Sequence, residues 1–143
     1  FNKIFTYNHI DYYDDYAHHP TEIKFVLDGL KKVYKDYEKI CVFQPHRISR
    51  LKDLRKEFSY SFSDADTVIL CPIFTAGEKM KLGFSYNSFA REIIKNSKVK
   101  LFLVNNNNEL AKFLKYLNGK KIVIGMGAGT ISSWMRQLPK LMK

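Results

Sequence analysis

Short apolar runs alternate along this chain with longer stretches in which apolar residues return every third or fourth position. Residues 40–43, 67–70, 101–104 and 122–124 are short and almost unbroken in apolar character. Such runs suit strands buried on both faces. The intervening stretches have a helical period. Residues 21–34 carry Ile23, Val26, Leu27, Leu30 and Val33, residues 51–58 put Leu51, Leu54 and Phe58 on one face, and residues 85–95 are anchored by Phe89 and Ile93. Upstream, residues 2–6 and 10–13 are extended runs around Asn8-His9 and read as a hairpin.

The later turns are marked by their residue types. Pro72, Thr75, Gly77, Glu78 and Gly83 form a loop after the second apolar run. Of the four asparagines at 105–108, the last one or two are expected to cap a helix over 109–117, which Asn118-Gly119 ends. Gly125-Met126-Gly127-Ala128-Gly129 is expected to turn into a last helix over 130–138, stopped by Pro139. Alternating strands and helices predict an α/β fold, a mostly parallel sheet with helices on both faces, in a single domain.

Polar chemistry gathers where predicted strands give way to helices. Asp14-Asp15-Tyr16-Ala17-His18-His19-Pro20-Thr21-Glu22 follows the second extended run, with Pro20 suited to a first helical turn. Gln44-Pro45-His46-Arg47-Ile48-Ser49-Arg50 follows the first apolar run. In a parallel sheet both would fall on the carboxyl-end rim, where α/β proteins bind ligands. Arg47 and Arg50 are three apart, so one helical turn would set them side by side. Such a pair could clamp a carboxylate or phosphate, or could simply be solvated. The glycine loop at 125–129 has the spacing G-x-G-x-G, not the dinucleotide fingerprint, so a tight turn is the better reading.

Composition narrows the partners. In 143 residues, 24 basic and 14 acidic side chains leave a net charge of +10. That charge, with 15% aromatic residues, raises a nucleic-acid-binding module as an alternative. No such signature is present, and the lysines fall at spacings that suit solvated helix faces. Cys41 and Cys71 sit in apolar runs and read as buried thiols of a reducing compartment. No apolar run nears the ~18 residues of a membrane span. The start at Phe1 with no signal core reads as a piece of a longer chain. There is no G-x-x-x-x-G-K-[ST] phosphate loop, no zinc-ligand spacing and no nucleophile elbow.

The two polar clusters, with Ala76-Gly77-Glu78 and Gly127-Ala128-Gly129, resemble the C-terminal domain of the Mur ligases over essentially the whole of residues 1–143. The Gln-Pro-His-Arg-x-x-Arg piece points to the alanine-adding branch, while His-His-Pro-Thr-Glu would also suit the murein peptide ligase branch. The resemblance implies a Rossmann-like domain that receives the amino acid and closes over the nucleotide. It implies upstream UDP-binding and ATP-binding domains that this chain lacks. It also implies ATP and Mg2+ as cofactors, held mainly by the central domain. L-Alanine and UDP-N-acetylmuramate would be the other ligands, in a bacterial cytoplasmic enzyme of peptidoglycan synthesis with neither nucleic acid nor membrane as partner. Carried over by position, Arg47 and Arg50 would bind the alanine carboxylate, His18 and Tyr16 would seat the amino acid, and Asp15 would touch the ATP ribose. No residue here is expected to be catalytic, and the domain alone should be inactive. Of the adjacent histidines, His19 is expected to brace the loop through hydrogen bonds while His18 faces the cleft. The sequence departs from the family at Thr130, where many members have Asp, and at Ile48, where an aromatic residue is common.

Overall fold

The hairpin predicted around Asn8-His9 forms as strands β1 (Asn2–Tyr7) and β2 (Ile10–Asp15), paired antiparallel. Asn8 and His9 take φ of 52° and 64°. Two left-handed residues give a turn whose twist matches the flanking strands. The computed structural model describes residues 1–78 and 85–143; Gly83 of the expected loop lies outside the described residues.

From this hairpin the sheet runs in one direction. Strand β3 (Glu38–Phe43), β4 (Thr67–Leu70), β5 (Lys100–Leu103) and β6 (Lys121–Met126) join it in the order β1-β2-β6-β3-β4-β5, six strands among the described residues. Every pairing but the first is parallel. The reason β3 and β6 sit centrally is their sequence. After one half-exposed residue, each is buried at every position, so each needs helices above and below.

Helices cover both faces. Helix α1 (Pro20–Val33), α2 (Ile48–Asp53), α3 (Arg55–Tyr60) and α4 (Tyr86–Ser97) pack on one side through Leu27, Leu51, Phe58 and Phe89. Helix α5 (Asn107–Lys115) and α6 (Ile131–Leu141) pack on the other through Leu110, Leu114, Met135 and Leu138. Cys41 and Cys71 are buried free thiols; burial pushes both up, Cys71 to about 12.

Five details differ from the sequence reading. The run at 101–104 is not buried on both faces: β5 is an edge strand, with Phe102 42% and Leu103 45% exposed and Phe102 resting on Phe113 of α5. The helix expected over 51–58 is broken at Leu54 (φ −112°, ψ 20°) into α2 and α3. Asn106, not the last asparagines of the run, caps α5 by accepting from Glu109 N–H. That helix ends at Lys115, and Asn118-Gly119 lies beyond it in the approach to β6, Gly119 at φ 87°. Pro139 does not stop α6, because so near the end it removes little of the ladder while buried Leu138 and Met142 hold the last turn on the sheet.

Gly127 is where the chain leaves β6, at φ 151°, and an added Cβ would lie 2.8 Å from the backbone oxygen of Gln44. Gly127→Ala is therefore expected to destabilise the fold by roughly 1–3 kcal/mol, read by chemical denaturation.

Candidate functional site

The rim at the carboxyl ends of β2 and β3 gathers the two polar clusters. Strand alternation sends Asp14 and Asp15 to opposite faces of the sheet. Asp14 is buried and pins α6, accepting from Ser132 Oγ at 2.7 Å and from Arg136 Nη1 at 2.6 Å. Asp15 turns the other way, and its Oδ1 accepts from Ala17 N–H at 2.8 Å in an Asx turn.

That turn leads to the histidines. The Glu22 carboxylate reaches back to accept from His18 N–H at 3.2 Å and His19 N–H at 3.1 Å. Those bonds, first the one from His18, hold the Glu22 carboxyl below its usual range. His19 is extended (φ −104°, ψ 147°), as a residue before proline prefers, and Ile23 N–H donates to its carbonyl at 3.0 Å. Its imidazole is exposed. The bracing expected of His19 thus runs through its backbone and Glu22. His18 is the histidine that meets the other cluster: its ring stands edge-on to Tyr16 at 5.7 Å and to His46 at 5.9 Å. His18 Nδ1 lies 3.0 Å from the Tyr16 carbonyl oxygen, so it donates there. In a neutral ring that leaves Nε2 with its lone pair.

The second cluster is built on a clip between two loops. Phe74 N–H donates to Pro45 O at 2.8 Å, and Arg47 N–H donates to Phe74 O at 2.7 Å. Between them the His46 ring stacks on Phe74, centroids 5.4 Å apart and planes 20° apart. Arg47 is held at φ 71°, a left-handed conformation that a bulky residue enters at a cost. The expectation of two arginines on one helical turn is corrected here. Arg47 precedes α2 and is exposed, while Arg50 lies inside α2 and is half-buried. Ser49 N–H donates to Glu78 Oε1 at 3.3 Å, and the Ser49 hydroxyl bond chiefly holds the Glu78 carboxyl below its ordinary range. Ile48, the departure from an aromatic residue, is simply buried.

Two nitrogens stand out. Arg50 Nη1 and His46 Nδ1 are buried, and among the described residues neither has a hydrogen-bond partner. Buried polar atoms almost always have one. An unpaired guanidinium N–H can donate to a polar, preferably anionic, group. His46 is held neutral: burial lowers its affinity for a proton, and Arg50, His18 and Arg47 lower it further against a small opposing pull from Glu78. His46 belongs to the second polar cluster read from the sequence, but no role was expected of it there. Its signal lay in the sequence, two residues after Gln44 in the same motif, but only folding shows the stacked ring with its buried Nδ1.

The remaining expected residues border a separate hollow. Asp15, Tyr16, Thr21 and Phe25 line a cavity of about 430 Å³, with Tyr16 70% and Phe25 80% exposed. The structure thus joins Tyr16, His18 and His46 in a run of ring contacts that leads to the arginine loop, while Asp15 and Tyr16 line the neighbouring cavity. Among the described residues no group of three or more His, Cys, Asp or Glu side chains could hold a metal, and no helix is long and apolar enough to cross a membrane. The glycine loop is packed rather than open. Buried Gln44 donates through Nε2 to Thr130 Oγ1 at 2.8 Å and accepts from Ile131 N–H at 3.0 Å. Thr130, one of the two departures noted in the sequence, here serves as that acceptor.

Two outcomes follow from this geometry. Glu22→Ala should destabilise by about 1 kcal/mol, the usual loss for a helix-capping group, whereas His19→Ala should cost less, both read by thermal melting. For His46, the folded ring resists a proton that the unfolded ring takes up near its ordinary value of 6.5. Stability should therefore fall as pH drops from about 7 to about 5.5, and His46→Gln should flatten that slope.

The chain is similar to known proteins over nearly its whole length. The family described as "Mur ligase, glutamate ligase domain" matches residues 1–129. A UDP-N-acetylmuramate–L-alanine ligase of Pelagibacter ubique (strain HTCC1062) is 69% identical over 142 residues, covering 99% of this chain and 31% of that protein. The ligase of the same name from Ruthia magnifica is 37% identical over 135 residues, covering 94% of this chain and 28% of that protein. The chain thus spans under a third of either relative. Among solved structures, the UDP-N-acetylmuramate-alanine ligase of Thermotoga maritima superposes with a TM-score of 0.71 at 24% identity, over 96% of this chain and 28% of that one. A murein peptide ligase of Psychrobacter arcticus gives 0.76 at 19% identity, over 99% and 29%. At those identities the structures speak for the fold alone. With most of its length matched and its fold shared, the chain belongs to the Mur ligase family, as the C-terminal domain.

Proposed function

We propose that the full-length protein carrying this chain is an ATP-dependent ligase that joins L-alanine to UDP-N-acetylmuramate in peptidoglycan synthesis in a bacterial cytoplasm. In this reading the lactyl carboxylate is activated as an acyl phosphate, the alanine amine attacks it, and phosphate leaves. The single observation that carries the reading on the structural side is the pair of buried, unpartnered nitrogens at Arg50 and His46. The 69% identity to a protein of that name supports the choice of amino acid and acceptor.

Each residue then has a task. The alanine carboxylate lies against Arg50 Nη1, with Arg47 closing over it from the exposed side. The free Nε2 of His18 accepts from the amine and aims it, and Tyr16 walls the site beside it. Asp15 faces the ribose of the nucleotide from the cavity beyond Tyr16. Triphosphate and magnesium, which activate the carboxylate, are assigned to the central domain upstream that the family resemblance implies, the sequence here having no G-x-x-x-x-G-K-[ST] phosphate loop.

In the full-length enzyme, Arg47→Ala should raise the KM for alanine roughly tenfold or more, the loss of a charge-assisted hydrogen bond, with far less effect on the KM for ATP. Arg47→Lys should rescue poorly, because it keeps charge but loses the planar fork. An unchanged alanine KM would remove Arg47 from the site. Residues 1–143 alone should release no phosphate from ATP when given alanine and the UDP-sugar.

A further inference from the structure

We propose that Gly129 is a positioning residue: by lacking a side chain it seats Phe74, and Phe74 sets the place of Arg47 and His46. This rests on the reading of those residues as the alanine site. A Cβ at Gly129 would lie 2.5 Å from Phe74 Cγ, 2.7 Å from Phe74 Cβ and 2.8 Å from Gln44 Oε1. Real Cβ atoms do not approach so closely, so one neighbour must move. Gln44 is poorly able to yield, since its amide is bonded at both ends, to Thr130 and to Ile131. The displacement therefore falls on Phe74.

Phe74 cannot move alone. Its N–H is bonded to Pro45, its carbonyl to Arg47 N–H, and its ring stacks on His46. Arg47 sits in a left-handed conformation that persists only while its surroundings impose it. A shift at Phe74 thus reaches both the imidazole and the backbone that aims the exposed arginine. The glycine loop, whose spacing invites comparison with an anion cradle, acts instead as the stop against which the amino-acid site is set.

Gly125 supplies the control. An added methyl there meets Met135 Cγ at 2.6 Å and Sδ at 2.9 Å, a flexible side chain of α6. Gly125→Ala can cost stability without reaching Phe74. In the full-length enzyme, Gly129→Ala should raise the alanine KM roughly tenfold while leaving the ATP KM nearly unchanged, because misplacing a binding group by a fraction of an ångström weakens what it holds. Gly125→Ala should leave both constants as they were. In a Phe74→Gly background, which removes both the Cγ at 2.5 Å and the Cβ at 2.7 Å that the new methyl would meet, Gly129→Ala should raise the alanine KM by a clearly smaller factor. An unchanged alanine KM in Gly129→Ala, or the same factor in both backgrounds, would overturn the proposal.

A second readout needs no substrate. Hydrogen exchange of the full-length protein, followed by mass spectrometry, should speed up in the peptide carrying Arg47 for Gly129→Ala and not for Gly125→Ala. If the wild-type enzyme shows no alanine-dependent phosphate release, the proposed function fails, and the exchange result alone decides the positioning. Unaltered exchange at that peptide would refute it.

Discussion

The structure depends on one requirement: β3 and β6 are apolar nearly end to end and must be covered on both faces. That requirement places them at the centre of the sheet and puts helices on both sides. It also leaves polar residues nowhere to go but the ends of the strands. Gln44 follows β3 directly and remains buried, and it satisfies its amide by capturing the start of α6. The carboxyl-end rim is thus fixed by the same packing that makes the core. The loops that carry Arg47 and His18 are fastened to it at Phe74 and Glu22 respectively.

Electrostatics then shapes what the rim can hold. His46 is half-buried, and desolvation first, then Arg50, His18 and Arg47, lower its affinity for a proton against an opposing pull from Glu78. The result is a cationic arginine loop with a neutral aromatic wall. An amino acid presents matching groups: a carboxylate for the guanidinium, an amine for an acceptor nitrogen, and a small apolar side chain for the rings.

Much of this was legible before folding. Unbroken apolar runs gave the strands, and three-to-four-residue spacing gave α1 and α4, because both signals come from burial on a fixed geometry. The edge position of β5 was not legible, since an apolar run reads alike at the edge and in the centre. Nor was the break at Leu54, where local backbone angles override a helical pattern. Within the site, both clusters and their shared rim could be read from strand ends. The left-handed Arg47, the stacking of His46 on Phe74 and the contact of His18 with His46 could not, because each joins residues distant in sequence or depends on a backbone conformation that residue type does not announce.

The central claim is that the buried nitrogen of Arg50 awaits the carboxylate of an amino acid. The most direct test is a crystal structure of the full-length protein with alanine bound. The account predicts an alanine carboxylate oxygen within hydrogen-bonding distance of Arg50 Nη1, with the amine turned toward His18. Alanine bound elsewhere, with Arg50 Nη1 still unpartnered, would contradict it.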